Sequence, residues 1–368
     1  MSHTINWFDF EGKEQISTPA LVVYPQRISS NIYKVLEIAG NAEKLMPHVK
    51  THKMTAVVEM QLKAGITKFK CATIAEAEMC AQAGAEKVLL AYPLNLANAH
   101  RFFRLTQKYP DTDFLALVDS LIAAEQLNNI FQENDAVAEV LIDVNVGMNR
   151  TGILANAVPS LCKAMIPLNS LSFRGLHAYD GHIHDSDRSL RFQKAQKAIE
   201  PVINLRNKLE KESGQKLMLV AGGSGTFPFY AQLNDVLCSP GTPFFWDAGY
   251  SQLFPDLDFD IAALLLPSIV SQPTENTYCL DLGYKAVAAE NPLPRVVFPE
   301  LPDAEVLFQS EEHLVIKSDA PLEIGKTIFA SPIHICPSVA LYDEAYTIEN
   351  GKVSGSWEVI ARKRKITV

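Results

Sequence analysis

The chain has 368 residues, 48% of them hydrophobic and 20% charged, with 18 Gly and 21 Pro. This length suits roughly two to three domains, or one large barrel with an addition, and the composition excludes disordered, collagenous and coiled-coil proteins. Lys+Arg 33 against Asp+Glu 42 leaves a net charge of −9, which repels phosphate backbones and anionic membrane surfaces, so nucleic acid and membrane are not expected as partners.

The amino terminus lacks a basic start followed by an apolar run, so it does not read as a secretory signal, and a cytoplasmic location is expected. The longest apolar stretch, Ile261 to Pro267, is far below the ~20 residues that cross a bilayer. Cys71, Cys80, Cys162, Cys238, Cys279 and Cys336 are scattered and read mostly as reduced, buried thiols.

From residue 19 to about 250, short β-branched runs alternate with stretches of helical period, the pattern of βα units around a parallel sheet. The candidate strands are Ala20 to Tyr24, Leu45 to Val49, Lys68 to Cys71, Val88 to Ala91, Phe114 to Val118, Val140 to Asn145, Ser172 to His177, Leu217 to Ala221 and Val236 to Ser239. A closed barrel takes eight strands, so one of these is peripheral. Helical segments lie between them, among them Arg27 to Ile38, Ala56 to Ala64, Ile74 to Ala83, Asn95 to Lys108 and Arg188 to Lys211, with Gly65 and Gly84 placed as carboxyl-terminal caps.

Beyond about residue 255 the elements are short and extended: Ile261 to Val270, Thr277 to Leu282, Glu305 to Phe308, His313 to Ile316, Thr327 to Pro332 and Ala345 to Ile348. Pro292 to Pro302 reads as a surface excursion, and Asn350-Gly351 as a hairpin turn. The expected fold class is α/β: a TIM (β/α)8 barrel over residues 18–255 and a β-strand domain over 256–368, which residues 1–17 join.

Parallel barrels place function at the carboxyl ends of their strands. There the chain carries Lys50 and its neighbours, the segment Asp143 to Gly152 with Arg150, the segment His177 to His184, the run Gly222-Gly223-Ser224-Gly225-Thr226, and Ser239 to Thr242. The glycine-rich run could cradle a phosphate on its amides and hydroxyls, and reads equally as a tight strand-to-helix turn. Lys50, flanked by ionisable groups, suits a Schiff-base nucleophile, while the same run also reads as a solvated charged edge. His334 and Cys336, two apart on a predicted strand, would share one face and could hold one metal, zinc by the softness of the donors; buried core is the competing reading.

The segment Pro47-His48-Val49-Lys50-Thr51-His52-Lys53 resembles the cofactor-lysine segment of the D-threonine aldolase/D-serine dehydratase family, pyridoxal-phosphate enzymes with the alanine-racemase-like barrel plus β-domain. Asp143 to Gly152, Gly175 to His182, Ala221 to Thr226, Ser239 to Thr242 and Ile333 to Leu341 follow in family order. The resemblance implies that Lys50 binds pyridoxal 5'-phosphate covalently and that Gly222, Gly223, Ser224, Thr226, Gly241 and Thr242 hold its phosphate. It further implies that Arg150 faces the ring oxygen, that Tyr179 packs near the ring, and that His182 is an acid/base. His334 and Cys336 would hold a divalent metal beside the substrate hydroxyl, zinc before manganese or magnesium, and His52 could help to bind the substrate carboxylate.

The implied activity is that of a metal-assisted lyase on 3-hydroxy D-amino acids, by retro-aldol cleavage or by dehydration, and the implied assembly is a homodimer. Cys336 resembles the dehydratase members, whereas the general run of the chain resembles the aldolases. Two alternatives remain, an amino-acid racemase and a non-catalytic cofactor carrier. Ser239 stands where alanine racemases carry an arginine, which weakens the first; the β-domain weakens the second.

Overall fold

In the computed structural model, which describes residues 6–368, seven parallel strands stand side by side in chain order: Lys68–Cys71, Lys87–Leu90, Asp113–Val118, Ala138–Asp143, Leu171–Ala178, Met218–Ala221 and Leu237–Cys238. The segment from Leu45 to Val49 closes the ring between the last strand and the first. It is not the regular strand expected: Leu45 bridges Cys238 and His48 bridges Lys70, each as a single parallel pair. The amides of Met46 and His48 donate to the carbonyls of Cys238 and Pro240, that of Val49 to Lys70, and that of Lys70 to Pro47. Pro47 has no amide hydrogen to add to the ladder, which accounts for the irregularity. The eight-stave barrel is therefore present, with an irregular first stave.

The peripheral candidate is Ala20–Val23, a strand that belongs to a different sheet. It pairs in parallel with Glu344–Glu349 and antiparallel with Ala263–Leu266. All four of its residues are buried, so its unbroken apolar run is indistinguishable from that of a barrel strand covered on both faces.

Two compact units emerge. One comprises Tyr33–Lys50, Thr55–Gly241 and Lys363–Val368; the other comprises the described residues up to Ile32, with Thr51–Met54 and Thr242–Arg362. Residues 1–5 of the amino-terminal segment expected to join the β-domain lie outside the described residues.

In the barrel unit the helices Thr55–Lys63, Ile74–Gln82, Leu96–Lys108, Leu121–Gln132, Val158–Met165 and Arg188–Ser213 follow the staves. The side chains of Thr73, Asn95, Ser120 and Asp187 cap four of them by accepting an amide of the first turn. Met46, Leu89, Leu115, Leu117, Leu141 and Val220 fill the interior, so the barrel is a packed core and its chemistry is confined to the rim. The last residues return to this unit, where the buried Glu78 carboxylate accepts the amides of Thr367 and Val368 at 3.0 and 3.2 Å and the Tyr109 hydroxyl at 3.1 Å.

The other unit holds two four-stranded sheets, Lys352–Glu358 with Glu344–Glu349, Ala20–Val23 and Ala263–Leu266, and Ile269–Thr274 with Thr277–Leu280, Leu314–Lys317 and Glu305–Gln309. Asn350 and Gly351 form the expected turn, both with positive φ, 53° and 69°. Phe8, Phe10, Tyr24, Leu264, Leu266 and Phe329 pack in its core. The stretch Pro292 to Pro302 is not only a surface excursion. Val296–Val297 pairs with Ser331–Pro332, and Val296 and Phe298 are buried, because their apolar side chains find core to occupy. No helix among the described residues is long and apolar enough to cross a membrane.

Replacing Glu78 by Ala removes the shared acceptor of these donors and leaves the buried Val368 amide unpaired, at a cost of about 1–3 kcal/mol. Thermal unfolding followed by circular dichroism is expected to show a lower Tm for Glu78→Ala, and an unchanged Tm would refute the clamp.

Candidate active site

Three basic side chains converge on one aromatic ring at the barrel rim. The Nζ of Lys50 lies 5.7 Å from the centroid of Tyr179, that of Lys70 lies 5.3 Å away, and the guanidinium carbon of Arg150 lies 5.1 Å away. Lys50 leaves the irregular stave half-buried, Arg150 is exposed on the loop after Ala138–Asp143, and Tyr179 follows directly on Leu171–Ala178. Cations over a ring face gain by interaction with its quadrupole, more so where water is excluded.

Gly223 faces the same ring: a Cβ there would come within 3.3 Å of it. Gly222 has φ +84°, and a Cβ on it would meet the Tyr230 ring at 2.5 Å, so the start of this loop is closed to any larger residue. The run from Gly222 to Thr226 is buried. The buried Asp180 braces it, accepting the Thr226 hydroxyl at 2.9 Å and the Tyr230 hydroxyl at 2.8 Å. Burial pushes the Asp180 carboxyl up against those hydrogen bonds. The Gly223 amide donates to Thr226 Oγ1, and the Gly241 amide donates to Ser224 Oγ at 3.2 Å, which ties the ends of the last two staves together. Among the described residues the amides of Gly225 and Thr226 make no backbone hydrogen bond. Buried amides are rarely left so, and a bound phosphate fits this cradle.

Beside Arg150, Asp143 and His177 form a buried pair, with Oδ1 and Nδ1 2.7 Å apart, and Asp143 Oδ2 accepts the Thr151 hydroxyl at 2.8 Å. Burial pulls the His177 pKa down against the attraction of the carboxylate, while the bonds to His177 and Thr151 overcome burial and hold Asp143 low. These groups line a cavity of about 20 Å³ together with Arg150 and Tyr179. His182 is half-buried, with no partner for its buried Nδ1 among the described residues; a Cβ on Gly147 would approach its Nε2 to 2.7 Å. Lys70 lies outside the segments that the sequence marks at the strand ends, whereas Asp143, His177 and Asp180 lie within them without a role of their own.

In the other unit, His334 and Cys336 are not on the strand expected. His334 is the extended cap of the helix Ile335–Val339, and Cys336 lies in its first turn. Pro337 suits that first turn, where its missing amide hydrogen costs nothing. The two side chains converge nevertheless. Burial lowers the His334 pKa, but its hydrogen bonds to Cys336 and Glu290 and the charges of Cys336 and Asp247 raise it to about 9. The Thr51 and Thr242 hydroxyls lie 3.1 and 3.7 Å from the Cys336 sulfur, so Thr242 lies beside the thiol. Glu290 engages His334 Nδ1, the carboxylate–histidine arrangement that orients a ligand for metal through Nε2. Asp247 accepts the Ile335 amide at 3.0 Å and the Tyr250 amide at 2.7 Å; burial pushes its pKa up to about 6. Among the described residues no group of three or more His, Cys, Asp and Glu could hold a metal ion, so the pair offers two donors and leaves other positions open. His52 is wholly buried, held neutral with a pKa of about 3, its Nδ1 taken by the Met54 amide.

Residues 23–245 match the family described as alanine racemase, N-terminal domain, and residues 262–348 match a putative serine dehydratase domain. The chain is 26% identical to a 3-hydroxy-D-aspartate aldolase of Paracoccus denitrificans, over 95% of this chain and 93% of the relative. It is 25% identical to a D-threonine aldolase of Arthrobacter sp., over the same shares. The solved D-threonine aldolase from Filomicrobium marinum superposes with a TM-score of 0.87 at 23% identity, covering 95% of this chain and 96% of that one.

Burial holds the Lys70 pKa at about 7, with the Lys50 charge as the next cause. Between that value and the ordinary lysine value the unfolded chain binds the extra proton, so stability rises with pH over this window. Lys70→Met is expected to raise Tm at pH 7, with the gain shrinking as pH approaches about 10. A lower Tm at every pH would contradict this electrostatic assignment.

Proposed function

The chain belongs to the alanine racemase N-terminal-domain family, and on that premise we propose that it is a pyridoxal-phosphate-dependent, metal-assisted lyase of 3-hydroxy D-amino acids. The observation that carries this reading is the convergence of Lys50, Arg150 and Gly223 on the Tyr179 ring beside a buried loop with open amides.

Pyridoxal phosphate, when bound, supplies the electron sink for charge left at the substrate Cα. The residues present fit it. Lys50 is the amine that would hold it covalently, Gly222, Gly223, Ser224, Thr226, Gly241 and Thr242 would hold the phosphate, and Arg150 and Tyr179 would lie on the side of the ring. His334 and Cys336 fit a divalent metal, zinc by the thiolate and imidazole donors and manganese or magnesium as alternatives, whose charge would act as a Lewis acid at the substrate hydroxyl. The support for the metal is the convergence of the pair and the carboxylate on His334.

In retro-aldol cleavage His182 receives the proton of the β-hydroxyl oxygen. In dehydration the Lys50 amine would receive the proton of Cα while the Cβ–O bond breaks and the hydroxyl leaves as water. Cleavage is the first reading, supported by the two aldolases that the chain matches over 95% of its length. The thiol at Cys336 favours dehydration as the second. The family resemblance supports a homodimer.

The purified protein supplied with pyridoxal phosphate is expected to absorb near ~420 nm, and Lys50→Ala to lose that band. With D-threonine or 3-hydroxy-D-aspartate, glycine plus an aldehyde identifies cleavage and a keto acid plus ammonia identifies dehydration. A chelator, His334→Ala and Cys336→Ala should each lower the rate by at least ~10–100-fold. Full activity in the presence of chelator would remove the metal from the account.

A further inference from the structure

Lys70 is unused by the function proposed above, and its surroundings give it chemistry of its own. It lies on the strand Lys68–Cys71, where it forms a parallel bridge with His48, two residues before Lys50 in the chain. The side chain is 2% exposed. Among the described residues no hydrogen bond or ion pair holds its Nζ; what it meets is the Tyr179 ring that Lys50 also meets. Lysines are almost never fully buried unless paired. The groups that face it are Lys50 and Arg150, which drive a proton off, and Asp143 and Asp180, which draw one on; burial outweighs them all. A large share of Lys70 is therefore free amine at neutral pH, the form that attacks a carbonyl.

Resting on the reading that the barrel binds pyridoxal phosphate, we propose that Lys70 is a second amine of the cofactor pocket, able to take the cofactor's aldehyde in place of Lys50. The Nζ lone pair adds to the aldehyde carbon, the carbonyl oxygen leaves as water with the two amine protons, and a C=N bond replaces C=O. Nothing is oxidised or reduced. The two lysines would then share one cofactor, with Lys50 holding it in the resting protein.

The test is covalent trapping. Wild type, Lys50→Ala, Lys50→Met and Lys50→Ala/Lys70→Met are incubated with pyridoxal phosphate and reduced with sodium borohydride, which delivers hydride to the carbon while solvent protonates the nitrogen. The modified peptide is then located by mass spectrometry. The expected result is a label on Lys50 in wild type, transfer of the label to Lys70 in both single variants, and its loss in the double variant. Circular dichroism confirms that each variant is folded, and the methionine variant, closer in volume to lysine, serves if the alanine variant is not. A label on Lys50 in wild type with none on Lys70 in a folded single variant overturns the proposal and leaves the proposed function intact. An unlabelled wild type overturns both.

Discussion

The closure of the barrel by the segment from Leu45 to Val49 is the constraint on which the rest of that unit depends. The staves Lys68–Cys71 and Leu237–Cys238 would otherwise face each other as open edges, with backbone groups unpaired in a dry interior. Amides and carbonyls on both sides of the segment fill that gap, even though Pro47 withholds one donor. The same bonds fix where Lys50 emerges: its amide meets His48 Nδ1 at 3.3 Å, and its side chain reaches the Tyr179 ring. A lysine on a mobile loop would have no such fixed reach, and geometry held by rigid elements is what covalent chemistry on a cofactor requires.

Charge at the rim is arranged around that point in two ways. Asp180 and Asp143 are buried carboxylates kept in place by hydrogen bonds, the first to the hydroxyls of Thr226 in the glycine-rich loop and of Tyr230 in the helix after it, the second to His177 and Thr151. They brace the Gly222–Thr226 loop and the loop that carries Arg150. The basic side chains, by contrast, lie against an aromatic face. In the other unit a similar economy places Asp247 under the turn that carries His334 and Cys336, so that one carboxylate caps two segments at once.

Much of this was legible in the sequence. Apolar runs alternating with helical period, glycine after Ala64 and Ala83 (φ 88° and 93°), and the Asn350-Gly351 turn each carried their local meaning into the structure. Lys50 and the run from Gly222 to Thr226 stood out because both follow strands. Ala20–Val23 was illegible as to sheet, since burial on both faces looks alike in a barrel and in a sandwich. Alternation makes His334 and Cys336 strand neighbours in the sequence, but Pro337 beside them suits the first turn of a helix, and the helix is what forms. Buried charges were the main loss. Lys70, Asp143 and Asp180 resemble surface charges until their neighbours are known, yet Lys68-Phe69-Lys70-Cys71 carried a signal, because two lysines on one face of an enclosed strand cannot both reach solvent.

The most direct test of the central claim is a crystal structure of the protein grown with pyridoxal phosphate. The account predicts continuous density from Lys50 Nζ to the cofactor, its phosphate against the amides of Gly225 and Thr226 and its ring beside Tyr179. Cofactor density elsewhere, or a phosphate absent from that loop in crystals whose protein is otherwise saturated, would contradict it.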